Sequence, residues 1–180
     1  MKPGDSLVLE AHALDALLEI LRQRGYALVG PTVRDGAIVL DELQRAAELP
    51  VGWTDEQEGG HYRLQRREDG AFFGYAAGPH SWKRYLHPPT LVRWRARREN
   101  GGFQAEAEAS PAPQLAFLGV RACELSAILT QDRVFLGGPF VDPAYRGRRE
   151  AAFIVAVHCG SPAGTCFCAS MNAGPRAPAG

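Results

Sequence analysis

The chain lacks any apolar run approaching the roughly 20 residues that a helix needs to cross a bilayer, so no membrane insertion is expected. It also lacks an excess of charge: 20 basic residues balance 20 acidic ones over 180 positions. A neutral chain has no bulk electrostatic pull toward nucleic acid or an anionic lipid surface. Cysteine is scarce, at four, and no two form the Cys-x2-Cys pair of a zinc ribbon. His61, His80 and His87 each sit beside Gly or Pro, share no metal-ligand spacing, and read as exposed loop histidines. The opening Met1-Lys2-Pro3-Gly4-Asp5 turns acidic and then amphipathic, unlike a signal peptide. A cytoplasmic, reducing location is therefore expected, where cysteines serve as thiols or metal ligands rather than disulfides.

What is present falls into two patterns. Leu14, Leu17, Leu18 and Leu21 follow helical spacing, with Gly25 at the C-cap position, which predicts an amphipathic helix over residues 9–24 with a core-facing stripe. Three two-residue turns of the positive-φ kind then predict hairpins: Asp35-Gly36, Asp69-Gly70 and Asn100-Gly101. Centring the third on Asn100-Gly101 pairs Arg97 with Gln104, Arg95 with Glu106 and Arg93 with Glu108. Val92, Trp94 and Ala96 then share the other face with Phe103, Ala105 and Ala107. Alone, Arg93-Trp94-Arg95-Ala96-Arg97-Arg98 resembles a nucleic-acid patch; paired, it is a neutralised solvent face. No nucleic-acid partner is expected. Gly78-Pro79-His80-Ser81-Trp82-Lys83 reads as a turn and a Ser-capped helical turn, with Lys83 a candidate anion or cofactor contact.

After Ser110-Pro111-Ala112-Pro113 alternation gives way to continuous apolar runs. Leu115 to Val120 and Phe153 to Val157 read as strands buried on both faces. Residues 121–129 between them show helical spacing at Ala122, Leu125 and Leu129. Strand, helix, strand predicts a parallel βαβ unit. The expected fold class is α+β, antiparallel hairpins plus a C-terminal parallel βαβ unit. One domain is expected over 1–180: a helix- and hairpin-rich part (1–112), a cysteine-bearing part (113–175), and a linker or truncated end (176–180).

That unit gives the cysteines a geometry. Parallel strands end on one edge, where sites in open α/β sheets gather. Cys123, just past the first strand, and Cys159, just past the second, should emerge side by side. Cys166 and Cys168, one residue apart, point the same way in extended chain, and the loop Gly160-Ser-Pro-Ala-Gly164 folds them back toward Cys159. A helix N-terminus is expected to lower the Cys123 pKa. Four thiolates suit zinc or an iron–sulfur cluster. A structural zinc domain for protein contact, or a thiol-dependent small-molecule-binding protein, stays open on spacing alone. His158, beside Cys159, is poorly placed to activate it, but is the first candidate for a fourth ligand should Cys123 lie apart.

The residues Gly30-Pro31-Thr32-x-Arg34-Asp35-Gly36-Ala37-Ile38, Pro50-x-Gly52-Trp53, Tyr62-Arg63-Leu64 and Gly78-Pro79-x-Ser81-Trp82-Lys83 form an ordered series. It continues through Phe117-Leu118-Gly119-Val120-Arg121-x-Cys123-x-Leu125-x-Ala127-Ile128, Gln131-Asp132, Cys159, and Thr165-Cys166-Phe167-Cys168-x-Ser170-Met171-x-x-Gly174-Pro175. In this series the chain resembles the N-terminal region of the iron–sulfur β subunit of cytosolic nickel–iron (sulf)hydrogenases, and of the corresponding iron–sulfur subunit of anaerobic sulfite reductases. Asn172 stands where the pattern has glycine. The resemblance implies an electron-transfer subunit rather than a catalytic one; on the cysteine geometry, Cys123, Cys159, Cys166 and Cys168 are expected to ligate one cluster, most simply 4Fe–4S, with Arg121 a further candidate cofactor contact. Its implied partners are a catalytic subunit and a flavin-containing NAD(P)H- or ferredoxin-linked subunit. Members of the family continue into a ferredoxin-like domain with two more 4Fe–4S clusters; this sequence ends at Gly180.

Overall fold

The computed structural model describes residues 4–76, 78–99, 101–107 and 112–178. A single 3-10 turn at Ala11–Ala13 leads into helix α1 (Leu14–Gln23), which buries Leu18 and Leu21 and half-buries Leu14 and Leu17. Gly25 follows with φ +87°, a left-handed stop that lets the chain turn into β1 (Ala27–Arg34). The first hairpin forms where the sequence places it. Asp35 (φ 47°) and Gly36 (φ 75°) both take positive φ, and β1 pairs antiparallel with β2 (Ala37–Glu42).

The second hairpin does not turn at Asp69-Gly70. It joins β3 (Trp53–Glu58) to β4 (His61–Arg66) through Gly59-Gly60, with Glu58 opposite His61. Asp69 is occupied otherwise: its carboxylate takes the Arg67 guanidinium at both oxygens (2.8 and 2.5 Å) and the Ala71 N–H. An Asp whose side chain folds onto its own neighbourhood shapes a bend rather than a hairpin turn. The short helix α2 (Lys83–Leu86) follows, with the Ser81 hydroxyl accepting from Lys83 N–H at 3.3 Å. The third hairpin, β5 (Trp94–Glu99) and β6 (Gly102–Ala107), keeps the expected register, Arg95 opposite Glu106 and Arg97 opposite Gln104. Asn100 and Glu108, and with it the Arg93–Glu108 pair, lie outside the described residues. Trp94 and Phe103 are 63% and 77% exposed, so the apolar face of this hairpin is uncovered among the described residues.

The βαβ unit is as expected in topology. Strand β7 (Leu115–Arg121) runs parallel to β8 (Phe153–Val157), with helix α3 (Ala122–Phe135) and a second helix, α4 (Pro143–Ala151), between them. Asp142 caps α4 by accepting from Ala144 and Tyr145 N–H (2.8 and 3.0 Å), and Pro143 opens it. The Asp132 carboxylate ties the helices together, taking the Tyr145 hydroxyl at 2.7 Å and Arg149 Nε at 3.1 Å. β1 also pairs parallel with β7, so one mixed sheet in the order β2-β1-β7-β8 joins the two parts of the chain.

That order corrects two expectations. β7 is an inner strand, buried from Ala116 to Arg121, but β8 is an edge strand, half-buried at Ile154 and Val155 and 41% exposed at Phe153. On α3 the inward residues are Ala122 and Ile128, while Leu129 faces out at 50% exposure. The sheet carries a core on each face. Leu18, Leu21, Leu28, Leu43 and Leu118 pack on one side; Val29, Trp82, Phe117, Val120, Ile128 and Tyr145 on the other. Phe117 and Val120 share a face because β7 bulges. Leu118 pairs with Val155 and Val120 with Ala156, leaving Gly119 (φ +87°) as the extra residue that reverses strand parity. No helix among the described residues is long and apolar enough to cross a membrane.

Candidate metal centre

The β7–β8 register runs on to Arg121 opposite Val157. Cys123 and Cys159 therefore each lie two residues beyond the last rung, on the edge where both parallel strands end. Both are half-buried. Burial pushes the Cys123 thiol up; the Glu124 carboxylate and the Cys159 thiolate push the same way. The expectation that a helix N-terminus would depress this thiol is thus reversed: burial outweighs the helix end.

Past Cys159 the chain loops out and returns. Cys159 N–H donates to Pro175 O at 3.0 Å, closing the neck of the loop. Within it Ala163 N–H points at Cys166 Sγ (3.2 Å), and Ala173 N–H donates to Cys168 O (2.9 Å). Asn172 takes φ 49°, the left-handed conformation that glycine would supply and asparagine tolerates. Gly174 is where the loop meets the helix. A Cβ there would stand 3.6 Å from Ala122 Cβ and 3.8 Å from Cys168 Sγ. Cys168 thereby lies on the same side of Gly174 as the first turn of α3, which carries Cys123, whereas Cys166 is exposed.

All four cysteines are free thiols. Three of them, from the end of β7, the end of β8 and the returning loop, share one end of the sheet, and the donor set is all sulfur. That chemistry fits a thiolate-ligated centre. Among the described residues no three His, Cys, Asp or Glu side chains are drawn into a ligating group. His158 is exposed, and its Nδ1 accepts from Ala177 N–H at 3.1 Å.

The two cations singled out in the sequence lie in different surroundings. Arg121 is buried at 4% exposure; its guanidinium donates to Tyr75 O and sits 4.9 Å over the Tyr75 ring. Its own N–H is taken by Glu124 Oε2 at 2.8 Å, a carboxyl that burial raises. Lys83 is exposed at the rim of a cavity of about 160 Å³ also lined by His80, Trp82 and Gln131. Gln131 Oε1 is buried there with no hydrogen-bond partner among the described residues, and the Trp82 indole N–H is buried beside the Glu124 carboxyl. His61 is exposed as the sequence suggests, though in β4 rather than a loop, whereas His80 and His87 are half-buried. His80 Nδ1 accepts from Leu40 N–H (3.3 Å), and His87 stacks on Phe135 with ring centroids 4.6 Å apart.

Sequence reasoning missed the support for the cysteine loop. Arg67 Nη1 reaches Ser161 Oγ at 3.3 Å, and Thr165 Oγ1 donates to Gln57 Oε1 at 2.8 Å. Both partners sit on or beside the β3–β4 hairpin, 94 and 108 residues away in sequence. No local pattern announces such contacts.

No family model matches the chain, and no solved structure matches it. Over 54 residues it is 43% identical to sulfhydrogenase 2 subunit beta of Pyrococcus furiosus. That stretch is 30% of this chain and 16% of the relative, so the chain spans a small part of the length of the curated protein to which it is similar.

Proposed function

We propose that this chain is an iron–sulfur electron-transfer module of a cytoplasmic, multi-subunit oxidoreductase, with Cys123, Cys159, Cys166 and Cys168 as the thiolates of one 4Fe–4S centre. The observation that supports the reading is the β7–β8 register up to Arg121–Val157, beyond which Cys123 and Cys159 follow on one sheet edge, with Cys168 on the loop that returns to the first turn of α3. The partial likeness to a sulfhydrogenase β subunit supports the same class. The partners are a catalytic subunit and a flavin-containing one, linked to NAD(P)H or ferredoxin; in this reading the chain itself carries out no bond chemistry.

A bound cluster supplies one-electron storage and release. The chain's residues hold and shield it. Four protein thiolates leave no ligand position to water, which suits electron transfer rather than catalysis at open iron. Binding requires each thiol to lose its proton, and burial at Cys123 opposes this in the metal-free chain. Cluster assembly should therefore release protons and weaken as pH falls.

The test is iron, acid-labile sulfide and zinc analysis, with visible absorbance, on anaerobically purified or reconstituted protein and on each Cys→Ser variant. The reading expects a brown wild type with iron and sulfide in equal amounts, lost or degraded in all four variants, Cys166→Ser included. Colourless protein with stoichiometric zinc would replace it with a structural zinc domain. Dependence on three cysteines but not Cys123 would replace the four-thiolate site.

A further inference from the structure

The loop between Cys159 and Cys166 is Gly160-Ser161-Pro162-Ala163-Gly164-Thr165, small residues with few side-chain contacts of their own. A segment of this composition does not fix the separation of the two thiols that flank it. Two side chains from the β3–β4 hairpin and its exit reach it. Arg67 holds a fixed pose: Nε and Nη2 grip Asp69 at 2.8 and 2.5 Å, while Nη1 donates to Gly74 O at 3.1 Å and to Ser161 Oγ at 3.3 Å. Gln57 is held from behind, its Nε2 donating to Asp55 Oδ2 at 2.5 Å, while Asp55 Oδ1 takes Ala76 N–H at 2.6 Å. Its Oε1 accepts from Thr165, the residue before Cys166. The backbone closes in at the same point: a Cβ at Gly164 would stand 2.9 Å from Gln57 O.

We propose that the β3–β4 hairpin is a clamp on the Cys159–Cys166 loop, with Arg67 and Gln57 as positioning residues that hold Ser161 and Thr165 and so set where the two thiols stand. The assignment rests on the reading of Cys159 and Cys166 as ligands of one centre. Arg67 acts through its fork rather than its charge, which Asp69 already matches. Lysine cannot reach Asp69, Gly74 and Ser161 together.

The clamp is tested first on the metal-free 180-residue chain, by amide hydrogen exchange over 160–166 and by iodoacetamide alkylation of Cys159 relative to Cys123. Ser161→Ala and Thr165→Val remove each contact from the loop side and leave both cores untouched; Arg67→Gln and Arg67→Lys remove one from the hairpin side. Each should speed exchange and Cys159 alkylation about fivefold, the factor corresponding to one hydrogen bond worth about 1 kcal/mol. Arg34→Gln, which breaks the Arg34–Asp41 surface pair at 3.3 Å, should change neither. In iron-reconstituted protein the loop variants should keep their iron and shift the electron paramagnetic resonance signal of the reduced centre. Wild-type exchange and alkylation in Ser161→Ala and Thr165→Val would overturn the clamp, as would rescue by Arg67→Lys. The two readings fail separately. A wild type that binds no iron, with the variants still loosened, removes the cluster and leaves the clamp. An iron-loaded wild type with unchanged variants removes the clamp and leaves the cluster.

Discussion

Replacing Gly119 with alanine should destabilise this protein through two separable causes. Gly119 is the extra residue of the β7 bulge and holds φ +87°. A side chain in left-handed backbone costs about 1–2 kcal/mol. The new Cβ would also stand 2.7 Å from Phe73 Cε1 and 3.2 Å from Phe73 Cδ1. Carbon contacts relax at roughly 3.5–4.0 Å, so Phe73 must move, and overpacking of this kind costs about 1–3 kcal/mol. Together Gly119→Ala should lose about 2–5 kcal/mol, a large fraction of the roughly 5–15 kcal/mol typical of a domain. Denaturant unfolding followed by tryptophan fluorescence measures it, since Trp82 is 2% exposed and packs 4.9 Å from Phe117 of the same strand. The decisive measurement is the cycle with Phe73→Leu, which removes the ring carbons that the methyl would strike but leaves the backbone strain. In that background Gly119→Ala should cost only the backbone part. An equal cost in both backgrounds would refute the steric part, and a cost below about 0.5 kcal/mol would refute the bulge as a constraint.

Two further outcomes are expected. Asp142→Ala should lose about 1 kcal/mol at neutral pH, the usual worth of an N-cap. The Tyr145 and Ala144 N–H bonds hold the Asp142 carboxyl below its ordinary range, so the cap's contribution is complete above about pH 4. It is lost as pH falls through the lowered folded value, and the gap between wild type and variant in denaturant titrations should close there. Changing Arg93, Arg95 and Arg97 together to glutamine should cost about 0.2–1 kcal/mol per exposed cross-strand pair and leave metal content unchanged. Salt-sensitive binding of single-stranded nucleic acid by the wild type, lost in this variant, would contradict the neutral-face reading of the β5–β6 hairpin.

The parts of the fold legible in sequence were those written in short-range pattern. The leucine stripe of α1, the Asp35-Gly36 turn, the charge pairing of β5 with β6 and the paired apolar runs of β7 and β8 all depend on residues near each other along the chain. The misreadings arise where something outside the local signal changed its meaning: a neighbour two residues away at Asp69, a whole strand at β8. Asp69-Gly70 has the composition of a hairpin turn, but Arg67 captures the Asp69 carboxylate, and the hairpin closes at Gly59-Gly60 instead. Phe153 to Val157 is apolar enough for a central strand, yet β1 takes the inner flank of β7 and leaves β8 at the edge. The Gly119 bulge breaks the parity on which any face assignment past Leu118 depends. At the candidate centre, the placing of Cys123 and Cys159 past the same strand edge was legible from topology alone, whereas the closing of the loop that carries Cys168, by Cys159 N–H on Pro175 O, was not. The hairpin contacts at Ser161 and Thr165 left no trace in the sequence.

These observations separate the scaffold from the centre it would carry. Among the described residues, the two apolar clusters lie on opposite faces of the four-stranded sheet and contain none of the four cysteines. The segment past β8 is built differently. Phe167 and Met171 are 70% and 65% exposed, and the loop is held by a few hydrogen bonds at its neck and on its hairpin side. Segments with so little buried apolar contact open locally, at a free energy well below that of global unfolding. A metal centre bound here would stabilise that local unit first, because ligand binding adds stability to the state that binds it. Very small metal domains, by contrast, owe their whole fold to the ion. If the proposed cluster is bound here, its loss should loosen residues 159–175 while the sheet whose edge carries Cys123 and Cys159 stays formed.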